Sequence, residues 1–536
     1  MVLSRESFPK DSILYWICWG AILVLAISFR ILPIRSGLPY SDYVDEGHVL
    51  HQTIDAFNNR SLDVYWYGLP ALPAYCAGVT LLSYGRFYRH FHGHRFQDDL
   101  PHERDLPTSN LNYDFIAPVE LIVAGRMATA CLSIASVILA GTFAARLADD
   151  RAGLLAMLLV AVCPALVARA SIVIVDTFAT FFVLVVLYLS ARIQAEASKP
   201  VWRDVALAGL ATGLALASKY PAATVGTAVI TTILILPVRW PRRLRLFFPA
   251  AGGFILGILL GAPMIFVKPI TIWRDIMANI RDYGWIRSPQ GYFVQAISTF
   301  ELGVLLLLAG SVGVILLLLQ RKTRVVALGW VCFAAALMAS FMGQAFRPFR
   351  SFLPLVPPLC IAAAVAFSDL IDWAGRGKHA WLRYGVTVAL IAGCIGSLGF
   401  SSFGQVRRRM AHQDSRIQAV DWLEQHATKE ETVLGIRELS ILPAEWKRIA
   451  AKSTVVPWFE AADLLERQRF DYVVTGEFDL RYASDPKAWS AYRDRWKAKV
   501  SPLAVQADFG QVVTPVVPYL WRTADERVLI LSGNVH

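Results

Sequence analysis

The chain has 536 residues, of which 56% are hydrophobic and 17% charged, with a mean hydropathy of +0.47. Soluble domains carry about 45–50% apolar and about 25% charged residues, so a water-soluble enzyme of this size is excluded, as are disordered, collagen-like and disulfide-scaffold chains. A net charge of +11 would suit nucleic acid, but the basic residues sit between apolar runs, as cytoplasmic membrane loops do. Cys18, Cys76, Cys131, Cys163, Cys332, Cys360 and Cys394 all lie in or beside apolar stretches, without C-x-x-C or Cys/His metal spacing. The composition is that of a polytopic membrane protein that binds no nucleic acid.

Apolar length bounded by charge predicts eleven spans, at about 13–32, 119–145, 152–168, 177–191, 204–218, 221–238, 246–267, 299–319, 325–343, 352–368 and 384–403. No small-residue cleavage site follows the first, which is expected to be a retained anchor rather than a signal peptide. With the N-terminus in the cytoplasm, the inner connections hold clustered cations, such as Arg239, Arg242, Arg243 and Arg245 or Arg321, Lys322 and Arg324. The outer connections hold sparser ones, among them Arg169, Lys219 and Lys268. This obeys the positive-inside rule. Residues 33–118 become the first external loop, within which the apolar, Trp- and Tyr-led segment 66–84 reads as a re-entrant or interfacial helix. The tail, 404–536, alternates helical stretches (416–426, 461–469, 489–497) with β-branched runs (432–436, 454–456, 472–475, 528–531), the pattern of a small α/β domain. The expected fold is therefore mainly α: a bundle of about eleven spans over 1–403, followed by a small extracytoplasmic α/β domain.

Chemistry-bearing residues concentrate on the outer side. Asp42, Asp45, Glu46 and His48 fall within seven residues just beyond the first span, and acidic groups beside hydrocarbon are costly unless paired or used. They suit a general base acting on a hydroxyl; they equally suit a solvated loop in which Asp45 caps a helix over 47–57. Arg169 and Asp176 close a short external turn, as an ion pair or a phosphate contact would, or as an interfacial arginine with its stem in lipid would. Lys219 follows a Gly-rich span, and Arg347 and Arg350 open another. Four cations on one face would suit a phosphate or pyrophosphate leaving group. His90, His92 and His94, with Arg86, Arg89 and Arg95, suit anionic lipid headgroups better than a metal. No convincing metal-ligand set is evident, and a divalent cation stays open.

The order of these features resembles the GT-C superfamily of polyprenyl-phosphate-sugar-dependent glycosyltransferases, in particular the protein O-mannosyltransferases and lipid A aminoarabinose transferases. Asp45-Glu46 resembles that family's Asp-Glu motif. The stretch from Tyr67 to Tyr75 is similar to its Tyr-Pro-Pro-Leu-x-x-Tyr segment, with Gly68 and Leu69 departing from it. Gly125-Arg126, Arg169 to Asp176 running into Phe181-Phe182, and Gly209 to Lys219-Tyr220 also fit. Arg350 to Pro358 looks like the Arg-Tyr-x-x-Pro-x-x-Pro-Pro segment, with Ser351 in place of the tyrosine. Asp414-Ser415-Arg416, leading to Trp422-Leu423, looks like the start of the periplasmic domain of bacterial members.

The resemblance implies a multi-pass enzyme of a bacterial inner or plasma membrane. It implies transfer of a sugar from a polyprenyl-phosphate carrier to a lipid, glycan or protein hydroxyl on the extracytoplasmic face. Asp45 would be the general base and Glu46 its support. Arg169, Lys219, Arg347 and Arg350 would hold the donor phosphate, with Asp42, His48, Tyr67, Arg126, Asp176 and Tyr220 as further candidates. A transporter or flippase of a lipid-linked anion is the rival reading, though neither an internal repeat nor paired sites support it.

Overall fold

A computed structural model describes residues 12–40, 44–64, 66–93, 119–195, 202–284, 302–341, 349–375, 380–411, 413–436, 439, 441, 443–456, 458–476, 494–496, 498–509 and 528–532. Asp42, His94, Arg95, Arg347 and most of the helix expected over 489–497 lie outside them. The chain divides into two compact units.

The first unit takes in residues 1–34, 52–96 and 123–410 and is helical. Its elements begin with α1 (Ile13–Ile31), α2 (Val44–Asn58, which crosses the unit boundary), α3 (Leu72–His92), α4 (Val119–Leu147), α5 (Asp150–Val162) and α6 (Pro164–Ala170). They continue with α7 (Val175–Ala195), α8 (Trp202–Ser218), α9 (Gly226–Ile235), α10 (Trp240–Gly261), α11 (Met264–Val267) and α12 (Pro269–Gly284). The last four are α13 (Val304–Leu319), α14 (Arg324–Ser340), α15 (Val356–Ala374) and α16 (Ala380–Ala411). Among the described residues six helical stretches are long and apolar enough to cross a membrane, or seven if the bent pair α5–α6 is one span. Shorter apolar helices at Tyr220–Ile235, Val304–Leu319 and Arg324–Ser340 fall on three more of the eleven predicted positions.

The span expected over 152–168 is broken, with α5 and α6 meeting at 57°. Pro164 has no N–H to return to the carbonyl of Val160 four residues back, so that oxygen needs another donor. Arg30 of α1, wholly buried, supplies it: its Nη2 donates to Val160 O at 3.0 Å and its Nη1 to Ala161 O at 3.1 Å. Its Nε donates to Ser133 Oγ of α4 at 2.8 Å. Ser402 of α16 closes the gap by donating to Val162 O at 2.8 Å. At the start of α5, Asp149 caps the helix through Ala152 N (2.8 Å) and also accepts from Ser368 Oγ. Arg151 there pairs with Asp372 at 3.0 Å.

Helices α8 and α10 cross through glycine. A Cβ added at Gly209 would sit 2.1 Å from Ala250 O, and one at Gly213 2.3 Å from Phe254 O. Gly253 and Gly257 face back with the same closeness, at 2.1 and 2.3 Å. Paired small-x-x-x-small stripes of this kind bring two backbones into contact within lipid, where no hydrophobic effect separates helix from solvent. The crossing carries α8 to its C-terminus at Ser218, and so sets where Lys219 emerges.

The second unit takes in residues 35–51, 97–122 and 411–536. Helix α17 (Ser415–His426) is followed by β1 (Thr432–Ile436), α18 (Pro443–Trp446), β2 (Lys452–Val456), α19 (Trp458–Arg467), β3 (Tyr472–Gly476), β4 (Ala504–Phe509) and β5 (Val528–Ser532). The sheet order is β2-β1-β3-β5-β4, with β1 parallel to β2 and β3 and the last two strands antiparallel. Central β1 is buried along Val433 to Ile436, as a strand covered on both faces must be, with Ala419, Val420 and Leu423 of α17 in the same core. Four of the strands lie on the predicted β-branched runs. β4 was missed because it alternates polar and small residues, and a bulge interrupts its pairing between Val505 and Ala507. Arg416 is buried in a bidentate pair with Asp414, both distances 2.9 Å, and stacks 3.7 Å above the Tyr40 ring.

Gly213→Leu forces the α8 and α10 backbones apart, and overpacking of this kind costs about 1–3 kcal/mol. The thermal unfolding midpoint of the detergent-solubilised protein is expected to fall by several degrees, while Gly252→Leu, where an added Cβ meets nothing within 4 Å, leaves it unchanged.

Candidate functional site

Three elements converge on one buried cluster. Asp176 lies in the first turn of α7, where the helix N-terminus favours an anion, and is wholly buried. Lys219 leaves the end of α8 and donates from Nζ to Asp176 Oδ1 at 2.5 Å and to Ser351 Oγ at 3.2 Å. Ser351 belongs to a 3-10 turn, Phe349–Leu355, that also buries Arg350. Ser351, which stands where the resembled segment has a tyrosine, thus accepts from the lysine together with Asp176. The second Asp176 oxygen, Oδ2, is buried with no hydrogen-bond partner among the described residues. Arg169, at the end of α6, sits 5.8 Å over the Phe349 ring and donates to Ala165 O at 3.1 Å. Arg126, fully buried on α4, donates to Ile34 O at 2.9 Å.

Beside the 3-10 turn lies an apolar cavity of about 250 Å³, walled by Trp330, Phe333 and Met338 of α14, Phe349 and Phe352 of the turn, and Leu359 of α15. Charge and apolar volume therefore adjoin on consecutive residues: Phe349 and Phe352 face the cavity, while Ser351 between them meets Lys219.

The Tyr67 to Tyr75 stretch is held by side chains from several elements. Gln52 of α2 donates to Trp66 O (2.8 Å) and Leu69 O (3.1 Å). Tyr220 Oη donates to Tyr67 O at 2.9 Å, and Asn279 of α12 to Gly68 O at 3.0 Å. The Tyr67 amide donates to Asp275 Oδ2 at 3.1 Å. The Tyr67 hydroxyl and Lys268 Nζ both donate to the Asp63 carboxylate. Burial alone would raise the Asp63 carboxyl, but the hydrogen bonds from Lys268 and Tyr67 outweigh it and hold the group below its ordinary value. Burial, and then that carboxylate, push the Tyr67 phenol up. Gly68 admits no side chain, because a Cβ there would enter the Trp66 ring.

Asp45, Glu46 and His48 fall in the second unit, in the N-terminal part of α2. The helix begins at Val44, three residues ahead of the sequence expectation, so both carboxylates sit inside its first turn rather than before it. Asp45 is 6% and Glu46 0% exposed. Burial, and then the neighbouring His51, push the His48 imidazole down to about 3, so it is neutral at pH 7. Arg86, Arg89 and His90 lie exposed on the last turns of α3. Among the described residues no group of three His, Cys, Asp or Glu gathers as a metal site.

Sequence reasoning missed Asp63, Asp275, Asn279 and Gln52, since no motif marks polar residues whose partners lie up to 211 positions away. Lys268, counted only as one more external cation, was the single available signal.

Residues 119–266 match the family model described as "Dolichyl-phosphate-mannose-protein mannosyltransferase", a stretch that includes Arg126, Arg169, Asp176, Lys219 and Tyr220. Among solved structures the chain is similar to ArnT from Cupriavidus metallidurans bound to undecaprenyl phosphate, with a TM-score of 0.53 and 13% identity over 97% of this chain and 98% of that one. It is also similar to the oligosaccharyltransferase AglB from Archaeoglobus fulgidus in complex with an inhibitory peptide and a dolichol-phosphate, with a TM-score of 0.51 and 12% identity over 94% of this chain and 73% of that one. No curated protein sequence matches the chain. The chain has the fold of these two solved transferases, and its residues 119–266 carry the match to the mannosyltransferase family model.

Removing one partner of a buried ion pair strands the other. Lys219→Met is therefore expected to destabilise the protein by about 3–5 kcal/mol, and the double variant Asp176→Asn/Lys219→Met to recover part of that loss, as read by detergent-phase thermal unfolding. His48 gives a pH signature. Below its ordinary value of about 6.5 the unfolded chain takes up a proton that the native state refuses, so stability falls as pH drops from 6.5 toward 3. At pH 5 the loss attributable to His48 is about 1–2 kcal/mol, and His48→Gln should flatten the unfolding-midpoint-against-pH curve between pH 7 and 5.

Proposed function

We propose that the protein transfers a sugar from a polyprenyl-phosphate carrier to a hydroxyl acceptor on the extracytoplasmic face of the membrane. The observation that carries this reading is the buried Lys219–Asp176–Ser351 cluster, with Arg350 on the same turn and an apolar cavity beside it. A lipid phosphate needs those two things together: cations held in a dry setting for its head and apolar volume for its chain. The solved relatives captured with undecaprenyl phosphate and dolichol-phosphate support the choice of lipid. The division of labour is part of the same proposal, with a membrane catalytic domain over 1–403 and an extracytoplasmic domain over 404–536.

In this reading Asp45 takes the proton from the acceptor hydroxyl, and the acceptor oxygen forms a bond to the anomeric carbon. The bond from that carbon to the phosphate oxygen breaks, its electron pair leaving with the polyprenyl phosphate, and the anomeric configuration inverts. Glu46 orients the acceptor. Lys219 and Arg350, with Arg169 and Arg347, offset the charge that grows on the departing phosphate, where preorganised cations lower a barrier by several kcal/mol. Asp176 acts as the positioning residue for Lys219. Tyr220, the next residue, fastens the Tyr67 loop, and Arg126 the backbone at Ile34. Asp42 and His48 are further candidates for the acceptor side, on their nearness to Asp45 in the sequence.

The test is an assay of the purified protein in nanodiscs with radiolabelled polyprenyl-phosphate sugars and a cell-envelope lipid extract as acceptor. Asp45→Asn is expected to lower transfer by at least about 10²-fold, the ordinary yield of a general base, with unchanged size-exclusion behaviour. Wild-type turnover in that variant would remove Asp45 from the mechanism, and absence of transfer from every polyprenyl-phosphate sugar would remove the reaction.

A further inference from the structure

Helix α12 carries two opposed faces. One holds Ile272, Asp275, Ile276 and Asn279, which pack against the cluster of Val64, Tyr67 and Ala71 and bind the Tyr67 amide and the Gly68 carbonyl. The other runs Ile270, Trp273, Met277 and Ile280, spaced at 3, 4 and 3 residues, the interval of a single helical stripe. Ile270 is 84% and Trp273 64% exposed, and Ile280 is exposed as well. Arg274 and Arg281 lie one helical position beyond Trp273 and Ile280, along the edge of that stripe. The Arg274 side chain is itself 73% exposed, with only a 3.6 Å approach to Asp275.

The occupant of this face follows from what leads into it. α10 is long and apolar enough to cross a membrane, with Ile255, Leu256, Leu259 and Leu260 exposed toward its C-terminal end. Phe266 and Val267 of α11 are exposed as well, and Ile270 follows them three residues on. A surface that begins on a spanning helix and turns through so few residues reaches the boundary between acyl chains and headgroups. A tryptophan flanked by arginines on an amphipathic helix is the composition suited to that layer.

We propose that α12 lies in the headgroup layer of the membrane, with Ile270, Trp273, Met277 and Ile280 in the upper acyl region and Arg274 and Arg281 on the phosphates of anionic lipids. The helix that rests on lipid on one side thereby fastens the Tyr67–Gly68 backbone on the other. This inference does not depend on glycosyl transfer and is read without an activity assay.

The test places a single cysteine by Trp273→Cys in the full chain lacking its seven native cysteines, labels it with bimane, and reconstitutes it into nanodiscs. Only protein eluting as one size-exclusion peak is used. The label is expected to be quenched by phosphatidylcholine brominated high in the acyl chain and shielded from aqueous iodide. Its emission should shift further to the blue when phosphatidylglycerol replaces phosphatidylcholine, a shift abolished by Arg274→Gln/Arg281→Gln. Iodide quenching equal to that of a bimane label at exposed Lys429 would overturn the proposal by placing the face in water. Shielding from both quenchers would overturn it too, by placing protein there, whether a second copy or another segment of this chain.

Discussion

The bend at Pro164 is the constraint on which the charged cluster of the helical unit depends. A proline inside a span leaves a carbonyl with no donor, and hydrocarbon offers no water to replace it. Arg30 and Ser402 cover the exposed oxygens of Val160, Ala161 and Val162 from two other helices, so the break ties α1, α5 and α16 together instead of weakening the unit. Because α6 then leaves at 57°, Arg169 and the turn into α7 arrive beside the 3-10 turn at Phe349, and Asp176 enters the bundle at the foot of α7.

A second constraint acts on α8. Its glycines meet those of α10 backbone to backbone, which places the end of α8 without depending on side-chain fit. Lys219 and Tyr220 leave that end in different directions, the lysine to Asp176 and Ser351, the tyrosine to the carbonyl of Tyr67. One dipeptide thus joins the charged cluster to the stapled loop. That loop is held mostly through its backbone, by donors on α2, α12 and the Tyr220 turn and by the Asp275 carboxylate, with the Tyr67 hydroxyl on Asp63 as a side-chain tie.

Much of the architecture was readable in the residues. Long apolar runs bounded by charge locate helices because the cost of exposing polar backbone to lipid admits few alternatives, and four of five strands lie on β-branched runs. Asp45, Arg169, Asp176, Lys219 and Arg350 stood out because charges beside hydrocarbon are expensive. The misses share one cause. The bend within 152–168, the strand Ala504–Phe509 and the polar staples of the Tyr67 loop all depend on partners far away in the chain, and local pattern carries no record of a distant donor.

By itself, then, the sequence determined that the chain is a membrane protein, which segments are helical, and which side chains are too costly to be there without a use, since each of these follows from transfer free energy along a single stretch. Only the tertiary structure decided that Lys219 meets Asp176 and Ser351, that Arg30 repairs the break at Pro164, and that α12 presents one face to the Tyr67 loop and bares the other. Those are hydrogen bonds and packings between residues tens to hundreds of positions apart, and their existence depends on helix directions that glycine crossings and a proline bend set in three dimensions.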